Sequence, residues 1–224
     1  MLTFKINKDE TAYEVTKCDK KATGLVTIPD TYLGKDVVSI GKEAFYERIN
    51  ITDVIIPDSV EKIGNSAFCL CTGLTNIVIP DSVKKAGQKV FLDCTSLKSV
   101  VLSKNMKISA GGGAFSGCTS LVSVTIPDGV KGIGMFCFRS CTGLTSVTIP
   151  KSLAEYDFAF ENCTGLTSVT IPKTVVKMKG LAFNRCDKQL TINVLGLCEK
   201  PETWDDNWRG NCECKVIWDT AERT

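Results

Sequence analysis

One unit of about 23 residues recurs along this chain, and that recurrence limits the fold more than any other feature. The segment Cys141-Thr-Gly-Leu-Thr-Ser-Val-Thr-Ile-Pro150 returns almost letter for letter from Cys163 to Pro172. Phe45, Phe68, Phe91, Phe115, Phe138, Phe160 and Phe183 are separated by 23, 23, 24, 23, 22 and 23 residues. Cysteine stands three residues after six of them, at Cys71, Cys94, Cys118, Cys141, Cys163 and Cys186. Ile-Pro pairs at 28–29, 56–57, 79–80, 126–127, 149–150 and 171–172 keep the same step after the first. Leu102-Ser103 fills the place between Pro80 and Pro127. The unit reads Ile-Pro-x-x-Val-x-x-Ile-Gly-x-x-Ala-Phe-x-x-Cys-Thr-x-Leu-Thr-x-Val-x, most plainly at Ile56–Val78. A short period means one unit stacked on copies of itself, not a globule around a single pocket. It favours surface recognition over catalysis.

Within a unit, Val147 and Ile149 alternate with Thr148, as a half-buried strand requires. Thr, Val and Ile suit the pleat, and Pro150, with no N–H to give the ladder, ends the strand. The spacing of Val60, Ile63, Ala67 and Phe68 then predicts a short helical or 3-10 return, with Gly64 and Gly134 at its bend. Strands of successive units should pair in parallel, so each inward position becomes a column. Leu74, Leu97, Leu121, Leu144 and Leu166 form one; Ile77, Val100, Val124, Val147 and Val169 form another. The seven phenylalanines should stack as a spine on the opposite side of the core. The predicted fold class is an α/β repeat solenoid of about seven repeats.

The solenoid is expected over 24–195, between caps at 1–23 and 196–224, because an array exposes raw edges at both ends. Leu2, Phe4 and Ile6 alternate, Asn7 to Thr11 is a turn, and Tyr13 and Val15 follow, which predicts a β-hairpin. Trp204, Trp208 and Trp218 are expected to lid the last core layer, with an aromatic carbohydrate platform as the alternative. The pattern departs at Arg48, in a cysteine place, and at Tyr156-Asp157, in place of Ile-Gly; a local irregularity or bulge is expected from Leu102 to Gly113, which carries Met106 and Gly111-Gly-Gly113.

Of the twelve cysteines, the six ladder members read as small buried hydrophobes. Neighbouring rungs could approach disulfide distance, but parallel side chains at equal height do not readily meet the Cβ geometry. Cys137 takes the place of Ala67 and Ala114 and should be core, while Cys69 is expected outside. Cys198 could bridge to Cys212 or Cys214 in an oxidising compartment. Zinc fits poorly, since histidine and paired Cys-x-x-Cys are both lacking.

The zero histidine count also removes most triads and most acid–base chemistry. No Walker loop or dinucleotide fingerprint follows a strand, and Gly111-Gly-Gly113 lacks the Lys-Ser/Thr of a phosphate loop. Asp205-Asp206 reads as a solvated loop pair. The chain is therefore expected not to be an enzyme, with no catalytic residue, metal or cofactor. Net charge is +2, which gives no long-range pull on nucleic acid. No run of eighteen apolar residues is present, so membrane insertion is not expected. Met1-Leu-Thr-Phe-Lys lacks the basic start and apolar stretch of a signal peptide, and Ala221 to Thr224 is no prenylation motif.

These phase-locked positions carry a resemblance. The strand pattern Leu-x-x-Val-x-Ile resembles the leucine-rich repeat. With Ile-Pro after the strand, Ala-Phe in the return and Cys-Thr-x-Leu before the next strand, it is similar to the BspA-like, or Treponema pallidum type, repeat over roughly residues 24–195. The stretch from Pro201 to Trp218 also looks like the tail that often closes such arrays. The resemblance implies a right-handed solenoid with a concave parallel sheet. It also implies surface or secreted proteins of gut and oral bacteria or parasitic protists, often linked to host adhesion.

The outward strand positions then define the face where binding is expected. One column is Thr52, Thr75, Lys98, Val122, Thr145, Thr167; the next is Asp53, Asn76, Ser99, Ser123, Ser146, Ser168. The third, Ile55, Val78, Val101, Thr125, Thr148, Thr170, is aliphatic in its first half and threonine in its second. Stacked exposed aliphatics suit recognition, although β-branched residues suit any strand. The site residues singled out are Ile55, Val78, Val101, Thr125, Thr148, Thr170, Lys98 and Asn76. The leading expectation is a monomeric, non-enzymatic adhesion module for a protein or host-matrix/glycan ligand, extracellular or at the cell surface, with the cytoplasm as alternative. The second is a structural spacer without a ligand; a carbohydrate-processing enzyme ranks last.

Overall fold

The computed structural model describes residues 1–108, 112–130, 132–153, 155–156 and 159–219. Gly111, Asp157 and the terminal Ala221 to Thr224 lie outside the described residues. The chain opens with β1 (Leu2–Ile6), β2 (Tyr13–Cys18), β3 (Gly24–Thr27), β4 (Thr31–Tyr32), β5 (Lys35–Ile40) and β6 (Ile51–Ile55). Short and longer strands then alternate: β7 (Lys62–Ile63), β8 (Asn76–Val78), β9 (Lys85–Ala86), β10 (Ser99–Val101), β11 (Lys107–Ile108) and β12 (Ser123–Thr125). The series continues through β13 (Gly132–Ile133), β14 (Ser146–Thr148), β15 (Glu155–Tyr156), β16 (Ser168–Pro172), β17 (Lys177–Met178), β18 (Thr191–Leu195) and β19 (Lys215–Asp219).

Each turn of chain contributes one strand to either side of a shared core. The main sheet has nine strands in the order β19-β18-β16-β14-β12-β10-β8-β6-β3, all paired in parallel. Opposite it, β1-β2-β5-β7-β9-β11 and β13-β15-β17 form the minor sheets. The fold is a leucine-rich-repeat-like parallel β-solenoid of about eight turns. Its inward leucine and valine columns are buried as the period requires, Leu74, Leu97, Leu121 and Leu144 completely.

The phenylalanines stack face to face, with centroids 4.7, 5.3, 5.2, 5.5, 5.5 and 5.7 Å apart from Phe45 to Phe183. The spine ends edge-on against Trp208 at 6.0 Å. Each ladder thiol reaches back one rung. Cys71 Sγ donates to the Phe45 carbonyl at 2.9 Å, Cys118 to Phe91 at 3.2 Å and Cys163 to Phe138 at 2.9 Å. Arg48, in the cysteine place of the first full unit, is buried and directs Nε to the Cys18 carbonyl at 2.7 Å.

The returns correct the sequence reading. Among the described residues there is no helix of any kind; the returns are chained turns and two-residue strands. A helix needs each N–H to bond four residues back along its own chain. Here alternate N–H groups bond the next rung instead, Phe68 to Val90 O at 2.9 Å and Leu70 to Leu92 O at 2.8 Å, while Cys69 and Cys71 close single turns on Ser66 O and Phe68 O at 3.2 Å. Ser66, which donates to Gln88 O at 2.8 Å, and Leu70 have φ of 54° and 59°, and a left-handed residue every few positions interrupts helical winding. The turn at Leu70 also tucks Cys69 inwards, so this thiol, expected outside, is buried.

The ends extend the array rather than cap it. The hairpin forms, with β1 antiparallel to β2, and the Asn7 side chain accepts from the Thr11 and Ala12 amides at 2.8 and 3.2 Å. Its second strand pairs in parallel with β5, adding a rung to the minor sheet and leaving β3 as an outer edge of the main one. At the other end β19 is the outer strand. Trp204 and Trp208 are buried there, and Trp204 Nε1 donates to the Val175 carbonyl at 3.0 Å, so neither offers a carbohydrate platform. Near the irregular unit after Leu102, the β10–β12 ladder thins to one paired position, Val101 with Thr125, against three between β12 and β14.

Candidate functional site

Alternation on the main sheet buries Val54, Ile77 and Val100 and turns their neighbours outwards. Ile55, Val78 and Val101 are 50, 58 and 56% exposed, unusually open for stacked aliphatics. Register places Val78 beside Val101, Val101 beside Thr125, and Thr125, Thr148 and Thr170 in line. All eight residues singled out in the sequence therefore share this one face. Lys98 and Asn76 are exposed in the two adjacent columns.

The structure adds Leu25, 58% exposed on β3, beside Asp53 in register. It went unnoticed because its unit has neither the phenylalanine nor the cysteine anchor; the following Ile28-Pro29 was the available signal. Leu25, Asp53, Ile55, Asn76 and Val78 line a shallow open groove of ≈ 470 Å³ at the β3 end of the face. Within it Asn76 Oδ1 accepts from Ser99 Oγ at 2.7 Å and Asn76 Nδ2 donates to Thr75 Oγ1 at 3.0 Å. The polar rim is thereby held in place by the sheet itself.

The threonines divide into two groups. Thr75, Thr145 and Thr167 donate their hydroxyls to the preceding rung, to Thr52 O at 3.2 Å, Val122 O at 3.2 Å and Thr145 O at 3.1 Å. The hydroxyls of Thr125, Thr148 and Thr170 have no partner among the described residues. Only the second group can donate to a ligand without giving up an internal bond.

The thiols form no comparable site. All twelve are free, and no group of three or more Cys, Asp or Glu gathers for a metal among the described residues. Burial pushes the Cys71, Cys141 and Cys186 thiols up to about 12 and those of Cys94, Cys118 and Cys163 well above the usual range. The Cys198 bridge is not formed: Cys198 is exposed while Cys212 and Cys214 are buried against each other. The neighbouring Cys212 thiol, helped by the Arg209 guanidinium, lowers the Cys214 thiol from its ordinary value.

Residues 25–111 and 108–204 match the BspA type leucine rich repeat region, in six copies. The chain belongs to that family. The leucine-rich repeat protein of Treponema pallidum (TpLRR) is 27% identical with a TM-score of 0.71, the alignment covering 98% of this chain and 97% of that one. A leucine-rich repeat protein of Bacteroides ovatus is 29% identical with a TM-score of 0.74; 91% of this chain aligns, spanning 58% of the other's length. A leucine rich cell surface protein of Faecalibacterium prausnitzii shares the fold, at 22% identity and a TM-score of 0.61 over 97% of this chain and 75% of that one. No curated protein matches the chain. No catalytic family is indicated. Leucine-rich repeat proteins generally mediate protein interactions, and no helix among the described residues is long and apolar enough to cross a membrane.

Proposed function

We propose that this BspA type repeat protein is a non-enzymatic adhesion module that takes a host protein ligand on the outward face of its main sheet. One observation carries the reading: Ile55, Val78 and Val101 make an exposed aliphatic column, with Leu25 one column away across the groove at its end, and the same column continues in Thr125, Thr148 and Thr170. An exposed apolar stripe beside free hydroxyls at Thr125, Thr148 and Thr170 fits an interface core with a polar rim. Lys98 and Asn76 would set orientation. We assign 1–23, 24–195 and 196–224 as N-terminal end, right-handed repeat array with its main sheet concave, and C-terminal end. The surface of a cell is its proposed location, supported by the family and by the name of the Faecalibacterium neighbour. A monomer is the proposed state.

A panel of immobilised matrix proteins, probed with the intact chain and with Val78→Glu/Val101→Glu, tests this. Both positions are exposed, so the variant should still fold, with a melting temperature lowered slightly by the two adjacent like charges, and lose about tenfold or more in affinity. Unchanged binding by the folded variant removes the stripe from the account. The spacer reading is favoured by one feature, a single core continuous through the array. It predicts no binding to any member of the panel.

A further inference from the structure

The minor sheet carries a second surface of different chemistry. Its strands are two residues long, with the second residue buried at Ile63 and the first outward at Lys62 and Lys85. Register sets Lys62 beside Lys85, and Lys85 beside Lys107, at the strand spacing of about 4.8 Å. Like charges directly opposite one another destabilise a sheet. Lys62 and Lys85 have no ion-pair partner among the described residues, whereas Lys42 pairs with Glu43 at 3.3 Å and Lys84 with Glu61 at 3.0 Å. The adjacent lysines thus cost the fold something, and neither forms an ion pair that would offset it.

A groove of ≈ 360 Å³ runs beside these lysines, lined by Lys42, Asn65 and the glycines 41, 64 and 87. The rungs approach so closely that a Cβ on Gly64 would lie 2.6 Å from the Lys42 nitrogen, and one on Gly87 2.5 Å from the Asn65 nitrogen. The floor is therefore bare backbone. Asn65 Oδ1 accepts from the Gln88 amide at 3.0 Å, which leaves its Nδ2 free to donate. Glu14 is the acidic side chain of the lining; it stands at the β2 end, half-buried, and accepts from Ser39 Oγ at 3.2 Å.

We infer that this groove binds a linear sulfated glycan. Cations on two successive rungs of the groove, Lys62 and Lys85, suit a ligand with regularly spaced anions, and a free amide suits its hydroxyls. No aromatic ring lines the groove, and single-stranded nucleic acid needs such rings to stack on. The site lies on the opposite sheet from the aliphatic stripe and does not rest on that reading.

Heparin is the probe, titrated calorimetrically into the intact chain at low and at physiological salt. Binding is expected, weakening as salt rises because exposed charges are screened over about 10 Å at 0.1 M. Lys62→Glu/Lys85→Glu should lose about tenfold or more in affinity. Lys151→Glu/Lys188→Glu, exposed elsewhere with the same change in net charge, should retain it. Desulfated heparin should not bind. No heparin binding, equal loss in both double variants, or equally tight binding of oligo-dT overturns the assignment. A separate readout excludes a purely structural role. Lys85→Glu places an opposite charge between two lysine positions, so its melting temperature should rise while heparin affinity falls; a fall in both overturns the proposal.

Discussion

A buried thiol is a weak donor, yet six of them here bond the phenylalanine carbonyl of the rung before, from Cys71 on Phe45 at 2.9 Å to Cys186 on Phe160 at 3.2 Å. Each is kept protonated by its apolar surroundings, with Cys71, Cys141 and Cys186 pushed up to about 12 from an ordinary value of 9.0. The folded values lie above the unfolded one. Their contribution is therefore complete below pH 9 and is lost as pH rises towards 12, because the unfolded chain then sheds protons that the folded chain retains. Each such thiol removes about 1.4 kcal/mol per pH unit in that window. Urea melts at pH 8, 9, 10 and 11 should show stability level to pH 9 and then falling steeply; a flat curve to pH 11 would mean the thiols ionise equally in both states. A thiol reagent at pH 8 should meet the opposite extreme in Cys198, the exposed cysteine. Its rapid phase should vanish in Cys198→Ser.

At the level of the element, the aromatic spine is the clearest case of packing dictated by the repeat. Phe115 lies between rings at 5.2 and 5.5 Å, within 10° of parallel to both. Phe115→Ala should cost about 3–5 kcal/mol in urea unfolding, more than Phe45→Ala, whose ring has one stacking neighbour in the spine. This spine, the leucine column and the parallel strands were legible because a fixed period forces equivalent residues into one environment. The returns were not. Val60, Ile63, Ala67 and Phe68 have helix-like spacing over a span too short to separate a helical turn from a strand followed by a bend. The left-handed corners fall on Ser66, Leu70, Lys89 and Asp93, ordinary residues that give no glycine signal. Their hydrogen-bond partners lie a rung away, where local pattern cannot see them. The site divides in the same way. Alternation identified Ile55, Val78 and Val101 as outward, but the carbonyls that occupy the hydroxyls of Thr75, Thr145 and Thr167 become visible only once rungs are stacked.

For the whole molecule, each rung contacts mainly its two neighbours, so stability is close to a sum of rung and interface terms. The ladders carry this locality: every main-sheet pairing joins consecutive turns of the chain. A rung should then be removable if phase is kept. Deleting residues 72–94 takes out 23 residues and joins Cys71 to Thr95, so each inward position meets its equivalent one rung further on. The shortened chain should keep a cooperative unfolding transition, with an m-value reduced in proportion to the surface lost. Deleting residues 72–83 instead removes twelve residues and brings Gln88-Lys89-Val90, from the return, to the place of the main-sheet strand Asn76–Val78. Every later leucine, valine and phenylalanine would then have to loop back into phase or leave its column. That chain should lose its sharp transition although it is the longer of the two. If the in-phase deletion unfolds as readily as the out-of-phase one, the rungs are not interchangeable, and the irregular ladder at Val101 and Thr125 becomes the place to look for a contact that holds distant turns together.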